Sequence, residues 1–100
     1  MFDTLKIYTH KEISLQEVQK NLIELGYRRV EEVTEEGDFS LKGDTLEIFP
    51  ANFNFPLRIE WAFEAVEKIY SFDKALNKKI IDYEFLIVIP HLKKAKRYVS

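Results

Sequence analysis

Cysteine is absent from this 100-residue chain, which excludes disulfides, thiolate nucleophiles and sulfur-ligated metals together. Glycine is scarce, and none of the three glycines opens a Gly-Lys-Ser/Thr phosphate-binding loop. No apolar run approaches the roughly 20 residues that a membrane helix needs, since the longest covers only 85–90. Residues 1–8 do not resemble a signal peptide. These absences predict a soluble, cytoplasmic domain with no membrane partner and no nucleotide-driven motor.

The charges nearly balance, with 15 basic and 17 acidic residues and a net charge of -2. A dedicated nucleic-acid-binding domain normally carries a basic surplus, so this balance argues against one. Apolar residues make up 46% of the chain and aromatic residues 14%, which is enough to build a core. We therefore predict a single domain over 1–100, in which the basic segment 92–100 frays at the end.

The clearest local signal is a helix at 14–25. Ser14 is a favourable N-cap, and Glu17 stands where a capping box requires an acidic residue. Gly26 supplies the left-handed residue that ends such a helix. One face of the helix is apolar, and it consists of Leu15, Val18, Leu22 and Leu25.

Alternating apolar residues predict strands before and after this helix. The first two strands are expected at 4–8 and 27–33. Between Phe39 and Ile48 the apolar positions change parity, and a β-bulge at Gly43 would produce that change. A strand at 57–62 should bury the odd-numbered residues and expose the even-numbered ones, namely Arg58, Glu60 and Ala62.

The remaining segments complete the predicted sheet. A further strand is expected at 66–72 and a turn at 73–79. The segment 83–89 is apolar on both faces, which is typical of a central strand or of one covered by the helix. The predicted fold class is α+β: one main helix packed on a mostly antiparallel, bulged sheet.

Groups suited to catalysis are few. His10 and His91 stand near opposite ends of the chain beside predicted loops, and we interpret both as surface residues. The pairs Glu31-Glu32 and Glu35-Glu36 are strand neighbours whose side chains point to opposite faces, so neither pair forms a shared acid–base site. We predict no enzyme activity, no cofactor and no metal site.

Several motifs, taken in order, resemble one known family. They are Leu25-Gly26-Tyr27-Arg28-Arg29-Val30, Gly37-Asp38-Phe39-Ser40-Leu41-Lys42-Gly43-Asp44, Leu46-Glu47-Ile48-Phe49-Pro50, Arg58-Ile59-Glu60-Trp61 and Ser71-Phe72-Asp73. They resemble the UvrA-interaction domain shared by bacterial UvrB and the transcription-repair coupling factor, Mfd. The resemblance covers about 5–90. Ser14-Leu15 and Gly26-Tyr27 look closer to the coupling factor.

The resemblance implies a non-catalytic docking domain of bacterial nucleotide excision repair, whose partner is UvrA. Carried over position by position, the protein-binding residues are Ser40, Lys42, Arg58, Glu60 and Ala62. The strand alternation places all five on the solvent side of the sheet. Three of these residues, Ser40, Lys42 and Ala62, depart from the family pattern. UvrB has an arginine at the position of Ser40, the family has an arginine at the position of Lys42, and the coupling factor has an aromatic residue at the position of Ala62.

Three other interpretations remain open at this stage. The charges on the sheet are also typical of a solvated face with a cross-strand ion pair. A divergent member of the family could have lost the ability to bind UvrA and could pack the same face against another domain of its own chain. The basic stretch Lys93-Lys94-Ala95-Lys96-Arg97 could contact nucleic acid, in which case binding would depend strongly on salt.

Overall fold

The computed structural model describes residues 4–91 of the chain. Its elements are β1 (Leu5–Tyr8), α1 (Leu15–Glu24), β2 (Arg28–Arg29), β3 (Asp38–Lys42), β4 (Thr45–Ile48), β5 (Leu57–Ala62), β6 (Ala65–Asp73), β7 (Lys78–Tyr83) and β8 (Phe85–Val88). β2 to β7 form one sheet in chain order, while β1 and β8 form a second, two-stranded sheet. Only the β2–β3 pair is parallel among these strands. The predicted α+β class is confirmed; the predicted basic tail lies outside the described residues.

The helix is capped at both ends by the predicted residues, Ser14 and Gly26. The Ser14 hydroxyl accepts a hydrogen bond from the Glu17 amide at 3.0 Å, and this caps the first turn. At the other end Gly26 has a φ of 96°, the left-handed conformation in which glycine avoids a Cβ clash. The Tyr27 amide then donates to the Leu22 carbonyl at 2.9 Å, as in a Schellman motif.

The predicted bulge at Gly43 is wrong, because Gly43 and Asp44 form a two-residue hairpin turn. Lys42 pairs with Thr45, and Leu41 pairs with Leu46. A two-residue turn places odd-numbered residues of one strand opposite even-numbered residues of the next. The hairpin therefore explains the change of parity without an extra residue. Register shifts do occur, but in the β5–β6 and β6–β7 pairs.

Three further strand predictions need correction. The strand expected at 27–33 is reduced to the two residues of β2. Part of the turn expected at 73–79 is already the start of β7, an edge strand of the large sheet. For the segment 83–89 the central-strand alternative is wrong, since β8 pairs only with β1; its buried residues Leu86 and Val88 join the cluster that contains the helix residues Val18 and Leu22. The predictions for β5 and β6 are confirmed.

One buried cluster joins both sheets and the helix. It includes Ile7 from β1, Leu22 from α1, Ile59 from β5 and Leu86 from β8, each at most 1% exposed. The Trp61 indole N–H donates to the Ile13 carbonyl at 2.7 Å, which ties β5 to the start of α1. One face of the large sheet is thereby covered, and the other carries polar side chains. No helix within 4–91 has the length and apolar character to cross a membrane.

Candidate protein-binding surface

Two rows of polar side chains cross the face of the large sheet that points away from the buried cluster. Because residues opposite each other in a sheet share a face, the strand register identifies each row. The first row runs through Ser40, Glu47, Arg58, Tyr70 and Asp82. The second runs through Lys42, Thr45, Glu60 and Lys68. We call these nine residues the charged face.

Arg58 is held in place by two neighbours on this face. Its Nε lies 3.6 Å from Glu47 Oε1 on β4. Its guanidinium carbon lies 3.7 Å from the centroid of the Phe72 ring on β6, which is cation–π geometry. The side chain nevertheless keeps 29% of its surface exposed. Arg58 is therefore positioned before any partner arrives.

Glu60 is fixed by a tyrosine of the next strand. The Tyr70 hydroxyl donates a hydrogen bond to Glu60 Oε2 at 2.5 Å. Burial raises the pKa of Tyr70, and its hydrogen bond to Glu60 and the Glu60 charge raise it further, while nearby Arg58 lowers it. The protonated hydroxyl thus orients the Glu60 carboxylate, and β6 supplies an aromatic support for both central charges.

Ser40 is buried, contrary to the expected solvent exposure, and a loop is held close to this end of the sheet. Only 4% of its surface is accessible. Lys74 Nζ lies 3.1 Å from Glu47 Oε2, which belongs to the residue opposite Ser40. The same ammonium donates to the Val33 carbonyl at 2.9 Å and lies 3.7 Å from Glu32. These contacts hold the β2–β3 loop close to Glu47, the residue that pairs with the buried Ser40.

The other predicted site residues are brought together on one face. Lys42 is exposed at the end of β3, and Ala62 is partly exposed at the end of β5. Phe63, the residue after Ala62, was not predicted as a site residue, and it is fully exposed in the β5–β6 turn. The turn Phe63-Glu64 contains none of the usual turn residues, so only the alternation of the flanking strands could have revealed it.

The histidines do not form a site. His10 is exposed, but the prediction that His91 is a surface residue is wrong, since it is 7% exposed and its ring packs edge-on against Tyr27. Glu32 and Glu35 enter separate ion pairs, with Lys74 and Arg28 respectively. Across residues 4–91, no three histidine, aspartate or glutamate side chains are grouped as metal ligands.

An α+β domain that holds charged side chains in fixed positions on one open sheet face has the features of a small protein-binding domain. Comparison of its sequence with known proteins identifies the family of protein-binding domain. The chain matches the family model of the UvrB interaction domain over residues 5–93, and it belongs to that family.

Similar full-length proteins come from both branches of the predicted resemblance. UvrABC system protein B of Fervidobacterium nodosum is 40% identical over 99% of this chain and 15% of its own length. UvrABC system protein B of Methanosphaera stadtmanae is 34% identical over 96% of this chain and 14% of its own length. The transcription-repair-coupling factor of Borreliella burgdorferi is 32% identical over 81% of this chain and 8% of its own length.

The chain spans 15% or less of the length of each of these three relatives. The identities correct one expectation. Its identity to the two UvrB proteins is higher than its identity to the coupling factor, so the predicted closer similarity to the coupling factor is not supported. The Ser14-Leu15 and Gly26-Tyr27 features serve the two ends of α1, and helix capping explains them without a closer relationship.

Proposed function

We propose that this chain is the UvrA-docking domain of a cytoplasmic nucleotide-excision-repair protein, and that the charged face is its binding surface. Arg58, Glu60 and Lys42 form the centre of that surface, and Ala62 lies at its border. Ser40 supports the sheet beneath the β2–β3 loop instead of contacting UvrA. The domain needs no cofactor for this role and contributes binding, not catalysis.

The observation that carries the proposal is the fixed geometry of Arg58 and Glu60. Phe72 and Glu47 hold the guanidinium, and Tyr70 holds the carboxylate. A charged side chain that is already immobilised loses little conformational entropy on binding, so more of its interaction energy becomes affinity. Opposite charges side by side also fix the orientation of a partner that carries the complementary pair.

A charge reversal tests the proposal directly. We expect Arg58→Glu to weaken UvrA binding at least thirtyfold, the effect of losing an interface residue worth about 2 kcal/mol. The measurement is calorimetric titration of the domain with UvrA from the same organism. Lys6→Glu on β1 is the matched control, because it also reverses an exposed strand cation but lies on the two-stranded sheet.

Two further variants guard against a folding artefact. Arg58→Glu places a second carboxylate beside Glu47, so Arg58→Gln is measured alongside it and each melting temperature is recorded. Lys42→Glu changes an exposed side chain at the end of β3 and should also weaken binding. If wild-type protein binds UvrA and none of these three variants changes the affinity, the charged face is not the UvrA-binding surface. No wild-type binding at high micromolar concentration would favour an intramolecular role for the face.

A further inference from the structure

Folding does not explain why Phe63 is exposed to solvent. It is the most exposed of the large apolar side chains in the described chain, 102% against 64% for Leu76 and 52% for Phe85. A phenylalanine side chain normally favours folding by leaving water. In this position it buries nothing, so the fold gains no hydrophobic stabilisation from it.

The backbone at Phe63 is also unfavourable for a side chain. Its φ is 62°, in the left-handed region that L-residues other than glycine, asparagine and aspartate seldom occupy. The chain provides its own comparison, because Gly43 opens the other two-residue hairpin turn with a φ of 61°. Phe63 opens the β5–β6 turn in the same way. The β3–β4 turn thus has the glycine that this geometry favours, whereas the β5–β6 turn has a phenylalanine in the same strained conformation.

The ring is attached at the border of the charged face. Arg58, Glu60 and Ala62 follow one another along one side of β5, and the Cα of Phe63 is about 3.8 Å from that of Ala62. Five residues of strand place it about 17 Å from Arg58 along the backbone. A standard interface covers about 800 Å² on each partner, a patch about 30 Å across, so one partner can contact both residues.

We propose that Phe63 is an apolar anchor that inserts into a pocket of the same partner that the charged face binds, which rests on the proposed UvrA docking. Charged residues at the centre orient the partner, and the exposed ring supplies the hydrophobic contact that Ala62 is too small to make. An aromatic side chain that becomes desolvated on binding is the usual form of an interface hot spot. Local strain at an exposed residue is typical of a site retained for binding.

The test is a titration of UvrA with Phe63→Gly, Phe63→Tyr and Leu76→Ala. Glycine suits the left-handed turn, so Phe63→Gly should keep or raise the melting temperature while it weakens binding at least tenfold. Phe63→Tyr keeps the ring and should bind within about threefold of wild type. Leu76→Ala removes an exposed apolar side chain from the β6–β7 turn, at the opposite end of β6, and should leave binding unchanged.

The outcomes separate the two proposals. If Arg58→Glu abolishes binding and Phe63→Gly binds like wild type, the charged face docks UvrA and Phe63 is not an anchor. If Phe63→Gly and Leu76→Ala weaken binding equally, general surface hydrophobicity is responsible and the anchor is also overturned. If wild-type protein does not bind UvrA at all, the proposed function fails, and the assignment of Phe63 to that partner fails with it.

Discussion

At the scale of single residues, the charged face depends on aromatic side chains that contact charges. Phe72 lies under Arg58, and Tyr70 donates to Glu60. Both aromatics come from β6, while both charges come from β5. Within the charged face, β5 therefore supplies the two central charges, and β6 supplies the aromatic side chains that hold them.

Tyr70 makes the stability of the folded domain depend on pH. Its folded-state pKa is raised above the ordinary value of about 10, so the protonated hydroxyl is favoured in the folded state. Its contribution is fully present below pH 10 and is lost as the pH rises through the folded-state pKa. We expect Tyr70→Phe to be about 1 kcal/mol less stable than wild type at pH 7.

The difference in free energy of unfolding between wild type and Tyr70→Phe should shrink as the pH rises above 10, because Tyr70 then ionises more readily in the unfolded state than in the folded state. Urea unfolding of both proteins at pH 7, 10 and 11 measures it. Tyr27, whose pKa is also raised, mainly by burial, titrates in both proteins and cancels in the comparison. A difference that stays constant up to pH 11 would contradict the role assigned to the hydrogen bond.

The exposed residues of β5 could be predicted from sequence, whereas Ser40 could not. The alternation of β5 is local, and the structure repeats it from Leu57 to Ala62. Ser40 shows the same local alternation, but it is buried beside Glu47, where Lys74 holds the β2–β3 loop. That contact joins residues distant in sequence, and no local pattern encodes it.

At the scale of elements, turn chemistry decides what the sequence pattern means. A bulge and a two-residue hairpin both change the parity of the apolar positions, so alternation alone could not separate them at Gly43. β7 was missed because most of its residues are exposed and its register is shifted, which leaves no alternation to detect. The helix, by contrast, was predicted correctly since both of its capping signals are local.

The Gly43 turn gives an element-scale prediction. A Cβ at Gly43 would have no neighbour within 4 Å, so Gly43→Ala meets no steric obstacle from other residues. The left-handed φ of 61° remains, and we expect it to destabilise the domain by about 1 kcal/mol. Thermal or urea unfolding checks this value. Asparagine tolerates the left-handed region better than alanine, so Gly43→Asn should lose much less stability than Gly43→Ala. Equal losses of stability in the two variants would show that the backbone conformation is not the cause.

At the scale of the whole molecule, the last described residues return to the start of the large sheet. Leu5 on β1 pairs with Val88 on β8, and the amide of His91 donates to the Leu25 carbonyl at 2.9 Å. Tyr27 completes this closure: its hydroxyl donates to the Ile89 carbonyl at 2.8 Å and accepts from the Ala51 amide at 3.0 Å. One buried tyrosine thereby links three distant parts of the chain.

We therefore expect Tyr27→Phe to lower stability while it leaves UvrA binding intact. The substitution keeps the ring but deprives the Ala51 amide and the Ile89 carbonyl of a partner, a loss of about 1–3 kcal/mol. Tyr27 belongs to the buried cluster, on the side of the large sheet away from the charged face. Urea unfolding and UvrA titration of the same protein measure both quantities. Weakened binding at a temperature where the variant remains folded would mean that the docking surface depends on this closure.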